Sequence, residues 1–463
     1  MKTLFRGGTL VNAGESLTAD LLVHDERIAA IGSGLSAADA VAVEASGQYL
    51  LPGGIDVHTH LDMPLEIAGQ SIATADDFYS GQVAAAFGGT TAHLDFAIQP
   101  KGATLREALD LWHVRARGKA VIDYGFHMTI ADPRPEVLRE IAALPEWGIT
   151  TVKVLMAYKG RLQVDDATLF AVLREAAGAG VLTMVHCENG DVIDILIREA
   201  VASGNLAPRF HPLTRPAALE GEATGRALAL AAVAGAPIYV VHLTCDLALR
   251  QVRAAQARGE RVWAETCIQY FFFTLEDLDR PDFEGAKFVC SPPFRTREDQ
   301  QALWEGVRDG ALAVVSTDHA PFSFARHKAL GRRNFTLIPN GVPAIEDRLL
   351  MLHHAGVGEG RISLNRFVDL VSTTPAKLFG LYPRKGTLAV GSDADIVLWN
   401  PRRERTLSAR THHMRVDYNL FEGTVVRGAP AGVWLRGRQI VDGERFLAEP
   451  GSGHYLPRER FQA

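Results

Sequence analysis

Residues 149–189 read ITTVKVLMAYKGRLQVDDATLFAVLREAAGAGVLTMVHCEN. Apolar and β-branched residues crowd the two ends, TTVKVLMAY and VLTMVHCEN, as in strands buried on both faces. Between them DATLFAVLREAAGAG carries helical periodicity and runs into a glycine. Strand, helix, strand is the unit of a parallel sheet covered by helices. The alternation extends in both directions. TTAHLDFAI, LREALDLWHVRARG, AVIDYGFHMTI and PEVLREIAAL precede it, and RALALAAVAGA, PIYVVHLTC and LALRQVRAAQARG follow. Repetition on this scale predicts an α/β fold, a (β/α)8 TIM barrel. A doubly wound open sheet is the runner-up, but neither a GxGxxG nor a GxxxxGKS phosphate loop is present to support it.

The chain ends have a different texture. TLFRGGTLVN, DLLVHDERIAAIG and VAVEASGQYLL at the start, and TVVRGAPAGVWLRG and RQIVDGERF near the end, are short β runs between glycines and charged turns. Neither end is large enough for its own core. The expectation is one small β-sandwich domain built from both, residues 1–52 and 384–450, beside a barrel over 53–383, with 451–463 as a C-terminal tail. A chain of 463 residues fits a barrel with an appendage. Its formal net charge of −6, with both signs mixed, gives no basic footprint for nucleic acid. Gly7 and Gly8 interrupt the start before a signal-peptide core can form, and no apolar run spans a bilayer, so no membrane partner is expected. The four cysteines lack CxxC spacing, which argues against a disulfide framework or thiolate zinc site. A cytoplasmic protein follows, with disorder confined to the tail, GSGHYLPRERFQA.

Chemistry-bearing residues collect where apolar strands end. GGIDVHTHLD ends in His58 and His60, which share a face at i and i+2. TMVHCEN ends in His186, IYVVHLT in His242, and AVVSTDHAPF in Asp318. In a parallel barrel all these ends emerge on one face, where such folds build their sites. Four imidazoles and a carboxylate converging there suit divalent metals such as zinc. His24, His113, His353, His354, His412, His413 and His454 lie in helical, exposed or terminal contexts and read as solvated. Lys153 sits inside the strand TTVKVLMAY. Alone, it reads as a strand-edge lysine that snorkels its charge to the rim. Beside two cations it would be driven to the neutral amine, which can add carbon dioxide to give a bridging carbamate.

The stretches HTHLDMP, GGTT, VKVLMAYKG, VHCEN, VVHLTC, CSPPFR, STDHAPF and IPNGVPAIEDR together resemble the dihydropyrimidinase/hydantoinase branch of the amidohydrolase superfamily. The likeness runs through nearly the whole chain in order. It implies a barrel with a β-sandwich, a homotetramer, and two divalent metals, zinc or manganese, bridged by carboxylated Lys153. His58, His60 and Asp318 would hold the more buried metal, and His186 and His242 the more exposed one. It implies hydrolytic opening of a cyclic amide or imide such as dihydrouracil or a 5-substituted hydantoin. The metals would generate hydroxide from water, Asp318 would act as general base then acid, and Tyr158 would stabilise the oxyanion. Ser291 and Asn340 match positions that hold the ring's amide groups, chiefly through backbone. Met63, Leu65, Leu155 and Leu162 match loops facing the exocyclic group. Dihydroorotase relatives place Arg soon after HxH; here Leu61-Asp62 follows, which counts against an anionic substituent. Allantoinase-type or dihydroorotase-type activity, a non-catalytic scaffold of the same fold, and a mononuclear deaminase are the alternatives.

Overall fold

The computed structural model describes residues 1–67 and 69–461; the last two residues of the expected tail lie outside the described residues. The N-terminal end supplies strands β1 (Lys2–Val11), β2 (Ser16–His24), β3 (Arg27–Gly32), β4 (Ala40–Glu44) and β5 (Tyr49–Pro52). β1 pairs antiparallel with β2, and its other edge is shared by β4 and β5. The β1–β2 register shifts between Phe5 and Gly8. Gly7 takes φ +65° there, a region that favours glycine, and a Cβ on it would lie 2.8 Å from Ser46 Oγ.

Strand β6 (Gly54–Thr59) enters the barrel, and a hairpin of β7 (Pro64–Ile67) and β8 (Gln70–Ala73) stands over its end. Seven more strands follow: β9 (Thr90–Ile98), β10 (Asp123–Thr129), β11 (Thr151–Leu155), β12 (Leu182–His186), β13 (Ile238–Val240), β14 (Val262–Cys267) and β15 (Val314–Ser316). They line up as one parallel sheet in the order β6-β9-β10-β11-β12-β13-β14-β15. The gap between β15 and β6 is bridged by the His60 N–H donating to His319 O at 2.9 Å. Arg348 also donates there to Ile55 O (2.9 Å) and Val315 O (3.1 Å). The expected barrel is therefore present. The unit around Lys153 shows why it forms: β11 and β12 are buried at every position. The helix Asp166–Ala179 between them buries Leu169, Val172, Leu173 and Ala176, the i, i+3, i+4, i+7 stripe. Asp165 caps its start through the Thr168 N–H, and Gly180 ends it in the left-handed region.

The C-terminal strands β16 (Ile396–Thr406), β17 (Val425–Leu435), β18 (Arg438–Asp442) and β19 (Arg445–Phe446) join the N-terminal ones through β5, with Leu50 opposite Leu398. Both ends thus merge into one nine-stranded sheet. That sheet folds over itself: the rings of Phe5 (β1) and Trp434 (β17), two strands removed, meet edge-to-face at 4.9 Å. At the seam with the barrel, Lys385 Nζ lies 2.8 Å from Asp123, 3.1 Å from Asp393 and 2.6 Å from Asp395.

The tail departs from expectation. The Leu456 N–H donates to Tyr124 O of β10 at 2.7 Å, and Leu456 is buried in the barrel-interior cluster with Leu94 and Met184. Arg458 is buried too, donating to Thr151 Oγ1 at 2.9 Å. A polar-looking segment is ordered because two of its side chains plug the barrel end opposite the histidines.

Candidate metal centre and substrate cavity

Five barrel strands deliver the candidate ligands to one mouth. His58 lies in β6 and His60 just past it; Lys153 is mid-β11; His186 ends β12. His242 and Asp318 sit two residues beyond β13 and β15. Their polar atoms converge. Lys153 Nζ is 3.0 Å from His58 Nε2. Asp318 Oδ1 is 3.2 Å from His58 Nε2 and 3.0 Å from His60 Nε2. His186 Nδ1 is 2.9 Å from His242 Nε2. Tyr158, His242 and Asp318 hold φ of +70°, +39° and +49°, a region non-glycine residues avoid, so three of the candidate residues sit on strained backbone.

Buried carboxylates set the tautomers. The His58 ring donates from Nδ1 to Glu265, which also accepts from the Tyr239 hydroxyl at 3.0 Å, leaving the His58 Nε2 lone pair facing the centre. His186 donates from Nε2 to Glu188 at 2.7 Å, which leaves its Nδ1 lone pair facing inward. Arg215 in turn donates to Glu188 at 2.8 Å. Phe96 makes an apolar floor, 4.5 Å and 5.0 Å from the His58 and His60 rings and 4.0 Å from Lys153 Nζ.

Burial sets the charges. It pulls His60 down to about 4 and, helped by His186, His242 well below its usual value, so both are neutral imidazoles. Burial and Lys153 also pull on His58, but the Glu265 and Asp318 carboxylates outweigh them and raise it. Burial would raise Asp318, yet the His58 and His60 rings hold it well below the carboxylate range. Burial lowers the Lys153 amine to about 8, against the pull of Asp318 and Glu265.

This set fits a divalent cation. His58, His242 and Asp318 each offer a donor atom within 4.8 Å of the others. In the neutral rings the lone pairs of His58 Nε2 and His186 Nδ1 face the centre, because Glu265 and Glu188 hold the ring proton on the far nitrogen, and at His58 a metal competes with a second proton for that lone pair. A second acidic group, Asp123, Asp393 and Asp395, also meets the spacing. Lys385 already fills it.

Above the floor opens a cavity of about 330 Å³. His60, Lys153, Tyr158, His186, His242, Asp318, Ser291 and Asn340 line it, together with Met63, Leu65, Leu155 and Leu162. His58 does not reach it; it is fully buried beneath. Among the described residues, the peptide N–H and C=O of Ser291 and Asn340 make no hydrogen bond within the chain, and both residues face the cavity. Asp62 does not face it. A turn at φ +53° sends its carboxylate to Arg115 (3.2 Å) and Lys119 (3.8 Å), so it carries no information on the ring substituent. Arg161 and the buried Arg215 also line the cavity.

With this geometry in view, the likeness to known proteins has a structural basis. The Amidohydrolase family matches residues 49–440. The chain belongs to the amidohydrolase family. A D-hydantoinase of Geobacillus stearothermophilus is 50% identical over 464 residues, covering 100% of this chain and 98% of that one. Among solved structures, a dihydropyrimidinase from Brevibacillus agri NCHU1002 has a TM-score of 0.98 at 51% identity, with 100% of both chains covered. An L-hydantoinase from Arthrobacter aurescens has a TM-score of 0.88 at 29% identity, over 98% of this chain and 99% of its own. The branch and fold expected from the sequence are borne out. The chain is a cyclic amidohydrolase of a metal-dependent family, not a scaffold.

Several supports of this amidohydrolase were not singled out from the sequence. Glu265 interrupts the apolar run RVWAETC, and a lone carboxylate in a buried strand is itself a signal. Glu188 lay inside VHCEN, unassigned. Phe96, Arg215, Ile98, Thr129 and Ile338 carry no signal beyond ordinary packing. His353, expected to be solvated, is instead buried against Trp399 at 4.8 Å. Among the described residues no helix is long and apolar enough to cross a membrane.

Proposed function

We propose that this protein opens 5,6-dihydropyrimidines or 5-substituted hydantoins to N-carbamoyl amino acids. The observation that carries this is the pairing of a cation-ready floor with two unpartnered peptide groups, those of Ser291 and Asn340, on the cavity wall. A cyclic imide presents the complementary donor and acceptor. His58, His60 and Asp318, with His186 and His242, would hold two divalent metals, zinc or manganese, with Lys153 carboxylated on Nζ between them. Bound there, the metals lower the pKa of water and polarise the ring carbonyl. The chain's own residues do the rest. Ser291 and Asn340 orient the ring. Tyr158 donates its hydroxyl hydrogen to the carbonyl oxygen as that atom gains charge. Asp318 accepts the proton of the attacking water and returns it to the ring nitrogen as the C–N bond breaks. The products are a carboxylate and a ureido N–H.

Met63, Leu65, Leu155 and Leu162 give the cavity an apolar character that supports alkyl or aryl substituents at C5. The names of the full-length relatives, hydantoinases and a dihydropyrimidinase, support the same substrate class. Homotetrameric assembly in the cytoplasm completes the proposal; sedimentation of the purified chain tests the assembly. The deciding experiment is a side-by-side ring-opening assay of dihydrouracil, a 5-aryl hydantoin, allantoin and dihydroorotate on metal-replete protein. Turnover of the first two supports the proposal; turnover of dihydroorotate alone overturns it.

A further inference from the structure

Lys328 is fully buried, and nothing in the proposed chemistry uses it. Burial weighs against its charge, and the Cys290 thiol beside it favours that charge. An ammonium in that position is costly unless every N–H is satisfied. Here each one is. Lys328 Nζ donates to Val289 O at 2.7 Å, Pro339 O at 2.8 Å and Gly341 O at 2.8 Å.

Those acceptors are not scattered. Pro339 and Gly341 flank Asn340, and Val289 lies two residues before Ser291. The two segments are further tied by the Gly341 N–H donating to Val289 O at 3.1 Å and Asn340 Nδ2 donating to Ser291 Oγ at 3.0 Å. The second segment also presses on the catalytic end of the barrel. Gly341 holds φ +139°, and a Cβ on it would sit 2.4 Å from Ala320 O, two residues after Asp318. The spacing between the Ser291 and Asn340 peptide groups, and their height above the floor, therefore depend on what joins these segments.

We propose that Lys328 is a positioning residue: its three N–H groups clamp segments 289–291 and 339–341 so that the Ser291 and Asn340 peptide groups meet the ring amide at a fixed spacing. Of the side chains that reach this far, only an ammonium offers three tetrahedral donors and no acceptor. Methionine of similar length leaves the Pro339 and Gly341 carbonyls without the Lys328 donor, and Val289 O with the Gly341 N–H alone. Arginine brings a planar fork that does not match three carbonyls arranged around a point. The clamp acts on ring binding and not on the metal centre, which Lys328 does not touch. It rests on the ring-opening function proposed above.

The test compares wild type with Lys328→Met and Lys328→Gln, the latter keeping two N–H donors. Three quantities are read: KM and kcat on whichever ring the wild type opens, metal content, and the hydrogen-exchange rate of the Gly341 amide. The expected result is KM raised about tenfold or more in Lys328→Met, the equivalent of about 1.4 kcal/mol, with kcat within threefold and metal content unchanged. Lys328→Gln should fall between, and Gly341 exchange should speed up in the same order. Wild-type KM in either variant, or a loss of kcat and metal together at constant KM, overturns the clamp. If Lys328→Met does not fold, Lys328→Gln decides by the same KM criterion. A wild type that opens no ring overturns the proposed function instead. The clamp is then judged by Gly341 exchange alone, and unchanged exchange in both variants overturns it.

Discussion

Replacing Glu265 with glutamine tests whether a residue outside the cavity governs the metal centre. Glu265 is fully buried and accepts from the His58 Nδ1–H, the Tyr239 hydroxyl at 3.0 Å and the His242 peptide N–H at 3.3 Å. Glutamine keeps the volume but has one acceptor oxygen, so its NH2 must face either the His58 or the Tyr239 donor. The loss is one hydrogen bond to a charged acceptor, about 2 kcal/mol. Because that bond fixes the tautomer and basicity of His58, the loss should appear as roughly 30-fold weaker metal binding. Protons work in the opposite direction: Glu265 helps raise the His58 pKa, so removing it also relieves proton competition for Nε2. Metal affinity should therefore be measured near pH 8, where that competition is small, by chelator competition on purified protein. Activity should return as excess metal is added. Unchanged affinity would refute the orienting role, and so would full metal occupancy with activity lost.

Tyr158→Phe should lower kcat about 100-fold, the cost of one oxyanion donor, while metal content stays constant; steady-state kinetics with metal analysis checks both. Asp347 is driven up to about 7 by burial and then by Glu346. Its folded pKa exceeds the unfolded one, so its contribution is full below about pH 4 and is lost as pH rises through 7. Asp347→Asn should accordingly gain on wild type by up to roughly 4 kcal/mol between pH 4 and 8, read from Tm at each pH. A chain ending at Gly453 should lose roughly 5 kcal/mol by uncovering Leu456 and Tyr455, seen as a lower denaturation midpoint.

Strand ends were legible because the candidate histidines and Asp318 close apolar runs, while Lys153 interrupts one. Polarity at the end of such a run has few explanations, and convergence on one barrel face removes most of them. The supports were hidden for a physical reason. Glu188 and Glu265 act through an atom already assigned to something else, and Phe96 is indistinguishable in sequence from any core aromatic. Asp62 was misread because adjacency to HxH does not fix direction: a left-handed turn carries it to Arg115. The tail was misread because GSGHYLPRERF is polar on average, while a few of its side chains, Tyr455, Leu456, Arg458 and Phe461, pack it onto the barrel.

Three lysines are buried among the described residues, and their contrast explains why only one reads as reactive. Lys385 faces three carboxylates, which push its pKa up despite burial. It is a permanent cation, and its nitrogen has no lone pair to offer. Lys328 is lowered to about 7 by burial, but each of its protons is already given to a carbonyl, so reaction at nitrogen would break three hydrogen bonds at once. Lys153 is lowered to about 8 and meets an aromatic face on one side and His58 Nε2 on the other. Among the described residues no carbonyl accepts its protons, and it lines the substrate cavity. In the sequence the first two sit in PRKG and RHKA and resemble surface residues, while the third interrupts an apolar strand. Burial alone does not make an amine a nucleophile; what faces it does, and of the three only Lys153 has a nitrogen left free to react, as the proposed carbamate requires.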